Sequence, residues 1–236
     1  SKASWGVMVA RGDLGIETSL TDLPNIQRRI MYACAKWGRR SIVATHLLES
    51  MIKNPTPTRA EVTDIANAIY EGADAIMLSG ETSVGKYPSE CVNFLKSIAE
   101  KTEKFRTLEY EKNFEPNSDW QHIGAVAKNL AESTSADGII AITRTGKTAN
   151  YISNSKPNGI PIFTFTANKK TLNQMSLIGS TVPFYLPNLS NHEKTLKNVT
   201  RILKKYYGKD KQHLKFIMVS SIFSEEHSEA IQIINI

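Results

Sequence analysis

The sequence predicts an α/β fold with parallel strands, and three observations carry that prediction. Short apolar runs, VMVA at 7–10, SIVAT at 41–45 and AIML at 75–78, recur at nearly constant intervals: 35 residues separate Val7 from Ile42, and 33 separate Ile42 from Ala75. Amphipathic stretches of helical period fill the gaps. Each run ends in polar residues: Arg11, Gly12 and Asp13 after the first, Thr45, His46 and Glu49 after the second, and Ser79, Gly80, Glu81 and Thr82 after the third. Consecutive βα units of this length form either an open doubly wound sheet or a (β/α)8 barrel, and both gather such residues at one carboxyl edge.

The elements follow in order. After the first strand, Leu20, Leu23, Ile26, Ile30, Cys34 and Trp37 form one apolar stripe and predict a helix. Thr58 and Glu61 have capping-box spacing and open a second helix with Val62, Ile65, Ala66 and Ile69 inward. Pro88 stands in the first turn of a third, whose apolar face is Val92, Leu95, Ile98, Ala99 and Phe105. Nothing precedes residue 6 to pair with the first strand, and three parallel strands leave open edges. The chain is therefore expected to be part of a longer barrel.

Residues 107–119 are polar and contain Pro116, which predicts a linker between a barrel portion at 1–106 and a second domain at 120–236. The second domain reads as a helix around Ile123 to Ser133, strand GIIAIT (138–143), a helix from Lys147, strand PIFTFT (161–166), a helix from Lys169, strand TVPFYL (181–186), a basic helix, strand FIMVSS (216–221) and strand AIQIINI (230–236). About eight residues join the last two strands, too few for a helical crossover, so they are predicted to be antiparallel.

Composition narrows the classes. The 236 residues are 41% hydrophobic and 22% charged, an ordinary globular balance. No apolar run approaches the roughly 20 residues of a membrane span, so no membrane partner is expected and the cytoplasm is the expected compartment. Cys34 and Cys91 fall at apolar helix positions and read as buried thiols. The net charge of +6 is concentrated in Lys194, Lys197, Arg201, Lys204, Lys205, Lys209, Lys211 and Lys215. Leu196, Val199, Ile202, Leu203 and Tyr206 form the apolar stripe of that segment. The cations then occupy a solvated face without interleaved aromatics, and no nucleic-acid partner is expected.

Two places carry candidate chemistry. Asp13, Thr45, Ser79 and Glu81 offer oxygen donors with no histidine or cysteine cluster, a set suited to Mg2+ or Mn2+ rather than zinc. Taken alone, an aspartate in Asp13's position more often caps the next helix; the neighbouring glycines favour the ligand reading. Gly12 and Gly15 allow the backbone close to a ligand, and amides at the start of a helical turn bind anions. The second place is T-R-T-G-K-T, residues 143–148, after strand GIIAIT. Ala141 occupies the first glycine position of a mononucleotide loop, so that fingerprint fails. Thr143, Arg144, Thr145, Gly146, Lys147 and Thr148 at a helix start make either a phosphate-monoester cradle or a basic turn with a threonine cap.

Four blocks, V-A-R-G-D-L-G (9–15), A-T-H-L-L-E-S-M (44–51), P-T-P-T-R-A-E-V-T-D-I-A-N-A (55–68) and D-A-I-M-L-S-G-E-T (74–82), resemble successive blocks of the pyruvate kinase family, in order and at its spacing. The resemblance implies that the three strands are the sixth to eighth of a (β/α)8 TIM barrel, followed by the family's carboxyl-terminal α/β domain. It implies transfer of phosphoryl from phosphoenolpyruvate to ADP, giving pyruvate and ATP, with Mg2+ (or Mn2+) and K+, in a homotetramer. Asp13 would ligate the divalent cation; the amides of Gly12 and Asp13, with Thr45, would hold the substrate carboxylate. Ser79 and Glu81 would belong to the network that protonates the enolate. The 143–148 loop resembles the site of a sugar-phosphate effector. The family's catalytic lysine, its partner glutamate and the K+ ligands belong to segments this sequence does not contain, so the chain alone is expected to be inactive. A sugar-phosphate-binding regulatory or assembly module without catalysis is the alternative.

Three departures from the family pattern stand out. Trp5 replaces an acid, His46 replaces a glutamine, and S-S-I-F-S-E-E-H-S-E replaces a glycine-rich loop. Glu225, Glu226 and Glu229 would repel a second phosphate, so a monophosphate effector, or none, is expected.

Overall fold

The computed structural model describes residues 3–105, 107–189, 191–208, 213–220 and 230–236, in two units, Ser1–Glu115 and Pro116–Ile236. The expectations at Glu225, Glu226, Glu229, Lys209 and Lys211 lie outside these residues.

In the first unit, β1 (Gly6–Ala10), β2 (Arg40–Ala44) and β3 (Ala75–Met77) form a parallel sheet in sequence order, with Gly6 opposite Arg40 and Ile42 opposite Ala75. Between them run α1 (Arg11–Glu17), α2 (Leu23–Lys36) and α3 (Arg59–Tyr70); the short α4 (Gly80–Ser83) and the longer α5 (Pro88–Thr102) follow β3. The Thr58–Glu61 capping box forms as spaced: the Thr58 hydroxyl accepts from the Glu61 amide, and the Glu61 carboxylate accepts from the Thr58 amide at 2.7 Å. Burial pushes the Glu61 carboxyl up, but donors from Ser50 and Thr58 outweigh it and hold the group below its ordinary value.

The single helix expected from Leu20 to Trp37 is corrected. The chain makes a short α1 immediately after β1, and α2 begins at Leu23 with Pro24 in its first turn, leaving Leu20 74% exposed between them. Proline favours a helix start and disfavours a helix interior, so the stripe is cut there. Val62, Val92 and Phe105 are likewise exposed rather than inward. Val62 and Val92 stand outside the buried arcs of α3 (Ile65, Ala68, Ile69) and α5 (Cys91, Ile98, Thr102), and Phe105 lies past the end of α5. Cys34 and Cys91 are buried thiols, as expected.

The second unit contains α6 (Asp119–Ser133), β4 (Gly138–Ile142), α7 (Lys147–Asn154), β5 (Ile162–Thr166), α8 (Lys169–Met175), β6 (Thr181–Tyr185), α9 (His192–Tyr207), β7 (Lys215–Ser220) and β8 (Ala230–Asn235). The sheet order is β6-β5-β4-β7-β8, parallel except for the antiparallel final pair. Its central strands are buried on both faces and feed two cores. Ile139, Ala141, Ile162, Ile217 and Val219 pack with Ala127 of α6, Ala149 and Ile152 of α7 and Met175 of α8. Ile140, Ile142, Phe163, Phe165, Phe216 and Met218 pack with Val199 and Leu203 of α9. The result is three layers, with the helix after β6 on the opposite face from those before it. Strand order therefore reverses between β4 and β7, the switch point at which open α/β sheets form a crevice. Tyr206, expected within the α9 stripe, is half exposed, with its ring edge against Phe163. Neighbouring Tyr207 donates to the Asp137 carbonyl at 2.6 Å, and burial with the nearby Asp137 charge pushes its phenol up to about 12.

Candidate functional site

The carboxyl end of β2 carries the most unusual backbone of the first unit. Thr45 and His46, neither of them glycine, have φ of 69° and 53°. The left-handed pair turns the chain sharply, and the residues that follow, Leu47, Leu48 and Met51, enter the core completely. Their burial favours the turn; the strain falls on the two residues before them.

A buried arginine holds the turn. Arg11, 6% exposed, donates from Nε and Nη2 to the Thr45 carbonyl at 3.1 and 2.6 Å, and from Nη2 to the His46 carbonyl at 3.2 Å. Its Nη1 pairs with Asp64 of α3. Both carbonyls left by the turn are thereby satisfied, as burial requires.

The turn faces the start of α1. The Gly12 amide donates to Thr45 Oγ1 at 2.9 Å, and that hydroxyl donates to the Ala44 carbonyl at 2.7 Å. The structure thus joins two of the residues picked out from sequence. A Cβ at Gly12 would stand 3.6 Å from His46 Cε1 and 3.7 Å from Thr45 Oγ1, in ordinary contact with the turn after β2. His46 Nε2 lies 3.5 Å from Glu49 at the surface. Gly12 and Asp13 are the second and third residues of α1, so their amides have no carbonyl four residues back. The Asp13 side chain is exposed and has no hydrogen bond or ion pair among the described residues. Its carboxylate is open to a hard cation. Among the described residues no group of three or more acidic, histidine or cysteine side chains could hold a metal, so the donor set fits a cation only as one carboxylate of a shared site.

At the end of β3, Glu81 is 2% exposed and its two oxygens accept from the amides of Leu48 at 3.0 Å and Ser79 at 2.7 Å. Burial pushes this carboxyl up, but the amides of Glu81, Leu48, Ser79 and Leu47 prevail and hold it below its ordinary value. Glu81 is an ionised tie between the loops after β2 and β3. The Ser79 hydroxyl has no partner among the described residues. Cys91 Sγ lies 3.9 Å from the Glu81 carbonyl; burial and then the charges of Glu81 and Glu90 push that thiol up, which leaves it unreactive.

In the second unit the 143–148 loop stands at the switch point. Gly146, at φ 81°, precedes α7, and its amide donates to Thr143 Oγ1 at 3.0 Å. Thr171 of α8 donates to the Arg144 carbonyl at 3.1 Å. Arg144, Thr145 and Lys147 are exposed, whereas Thr148 is buried with a hydroxyl that has no partner among the described residues. The basic helix α9 turns Lys194, Lys197, Arg201, Lys204 and Lys205 to solvent. No helix among the described residues is long and apolar enough to cross a membrane.

From sequence, Arg11 is expected at the carboxyl edge with Gly12 and Asp13; it is instead buried against the turn, and no role is expected for Asp64. An arginine directly after an apolar strand was the available signal for the first; nothing in the spacing marks the second.

The fold and these strand ends define the class: a βα-barrel portion with its polar groups at the carboxyl edge, and a second, mostly parallel α/β unit in the same chain. Comparison with known proteins narrows it. The family described as "Pyruvate kinase, barrel domain" matches residues 1–92 and "Pyruvate kinase, alpha/beta domain" matches residues 121–234. A pyruvate kinase of Thermotoga maritima is 42% identical over 207 residues, 84% of this chain and 43% of that protein. The plastidial pyruvate kinase 3 of Arabidopsis thaliana is 37% identical over 235 residues, 97% of this chain and 41% of that protein. A crystal structure of a pyruvate kinase from Cryptosporidium parvum superposes with a TM-score of 0.89 at 30% identity, over 98% of this chain and 47% of that one. The chain belongs to the pyruvate kinase family. It spans about two fifths of the length of these two curated relatives.

Proposed function

We propose that this chain supplies one side of a pyruvate kinase active site, at which phosphoenolpyruvate and ADP give pyruvate and ATP. The observation that carries the reading is the junction of Gly12 and Thr45 beside the unpaired Asp13 carboxylate. A substrate carboxylate entering there would accept from the Gly12 and Asp13 amides. The Thr45 hydroxyl would turn from the Ala44 carbonyl to donate to it. Asp13 would hold Mg2+ or Mn2+, which when bound neutralises charge on phosphate and enolate oxygens. The free Ser79 hydroxyl supplies the polar path toward the enolate. Glu81, ionised and engaged by amides, serves by holding Ser79 and the loop after β2 in place rather than by giving up a proton. K+ and the remaining cation ligand come from outside residues 1–236, and assembly is as a homotetramer.

The test is pyruvate formation from phosphoenolpyruvate and ADP with Mg2+ and K+. The chain alone should give none, and adding the amino-terminal part of the enzyme should restore turnover that Asp13→Ala abolishes. Turnover by residues 1–236 alone would overturn the divided-site reading.

A second reading, a sugar-phosphate-binding regulatory module, is favoured by the switch-point loop, where the exposed Arg144 and Lys147 flank the start of α7. Lys147 and Arg144 would pair with a phosphate monoester while Thr143, Thr145, Gly146 and Thr148 shape its cradle. Calorimetric titration with a hexose monophosphate separates the readings: saturable binding lost in Lys147→Ala supports the regulatory role, and its absence removes it.

A further inference from the structure

Among the described residues, Arg11 is the side chain that reaches from α1 to grip the turn after β2. Its backbone begins the helical turn carrying Gly12 and Asp13, and its guanidinium holds the carbonyls of Thr45 and His46 with three hydrogen bonds of 2.6 to 3.2 Å. Asp64, on α3, fixes the far side of the guanidinium. Both gripped residues are non-glycine at positive φ, a conformation that relaxes unless its surroundings hold it. When such a turn relaxes, the carbonyls rotate, and with them the Thr45 side chain that meets the Gly12 amide.

We infer that Arg11 is a positioning residue: with Asp64 behind it, it holds the strained Thr45–His46 backbone and so sets the separation between the Thr45 hydroxyl and the Gly12 and Asp13 amides. Its importance for phosphoenolpyruvate rests on the catalytic reading above; the clamp itself does not. Lysine in its place keeps the charge but cannot span two carbonyls and a carboxylate, because only the planar guanidinium presents its donors as a fixed fork. A residue that merely filled the interior would act differently. Its loss would loosen β2 and α3 generally, and a glycine in the turn would add to the damage.

The experiment measures hydrogen exchange at the Gly12 amide, whose protection reports the bond to Thr45 without any ligand. Arg11→Lys should speed exchange at Gly12 by about tenfold with Val43 in β2 unchanged. Asp64→Asn, which leaves the carbonyl contacts in place, gives a milder variant that tests the clamp even if Arg11→Lys fails to fold, with about threefold faster exchange at Gly12. Adding His46→Gly to either variant should bring Gly12 back toward the parent rate, since glycine takes the left-handed backbone without strain. In the turnover-competent assembly, the same variants should raise KM for phosphoenolpyruvate by about tenfold and leave kcat within about threefold, as expected for loss of ground-state positioning. Equal Gly12 exchange in the parent and both variants, or further loosening on adding His46→Gly, overturns the clamp. Altered exchange in an assembly with no turnover keeps the clamp and overturns the catalytic reading instead.

Discussion

At the carboxyl edge of β2 the left-handed backbone falls on Thr45 and His46, whereas at the edge of β4 it falls on Gly146. A non-glycine residue in this region carries about 1–2 kcal/mol of strain, and glycine carries almost none. The first turn therefore persists only because Leu47, Leu48 and Met51 are buried beyond it and Arg11 satisfies its carbonyls. The second turn carries no such strain: the Gly146 amide donates to Thr143 and Thr171 of α8 donates to the Arg144 carbonyl, and glycine takes the left-handed backbone itself. The difference separates a turn held against its own strain by its surroundings from one whose residue takes that backbone freely. Under the proposed function, the first is the edge at which misplacement would be expensive.

The strongest way to break the organised edge is through the ionised tie beneath it. Glu81→Gln puts an amide NH2 where a carboxylate oxygen accepts from Leu48 or Ser79. It should lower the unfolding free energy of the first unit by about 2–3 kcal/mol, read by urea denaturation. The pH dependence has a definite sign. The folded Glu81 carboxyl titrates below its ordinary value, so its contribution is complete above the unfolded glutamate pKa of about 4.3 and disappears as pH falls through the lower, folded value. The parent should lose stability across that window and Glu81→Gln should lose less. Equal slopes would mean that the amides do not govern this carboxylate.

Much of this contrast was legible in the sequence. Apolar runs located each of the eight described strands, and the eight-residue connection foretold the antiparallel pairing of β7 and β8. Strand ends directed attention to Gly12, Thr45 and Glu81, because parallel sheets place their polar residues there. The left-handed turn stayed hidden, since a β-branched Thr45 argues against positive φ and a lone His46, of a type only enriched there, does not announce it. The pairing of Arg11 with Asp64 stayed hidden because a contact across 53 positions leaves no local period. The stripe from Leu20 misled for a different reason: periodicity records which residues could share a face, while Pro24 decides where the helix begins.

A pair of glycine exchanges sharpens the comparison at smaller amplitude. Gly146→Ala should cost about 1–2 kcal/mol through its φ alone, since a Cβ there would meet Thr171 Cγ2 and Met175 Cγ only at 3.5 and 3.6 Å. His46→Gly should change stability by less than about 1 kcal/mol, because relief of strain is offset by the extra entropy of an unfolded glycine. Similar losses from both exchanges, in the same denaturation assay, would show that strain is not what distinguishes the two edges.

The smallest effect on the fold should come from Lys147→Ala, and this is what makes it informative. Lys147 is exposed at the first position of α7 and forms no ion pair among the described residues, so its removal should leave stability within about 0.5 kcal/mol. If the 143–148 loop serves a phosphate monoester, the same change should weaken hexose monophosphate binding by about tenfold, or about 1.4 kcal/mol, in calorimetric titration. The two readouts must separate for the loop to be a binding element. A variant that loses stability in step with affinity would place Lys147 in the framework of the second unit. The edge of β4 would then be as firmly built into its own unit as the edge of β2.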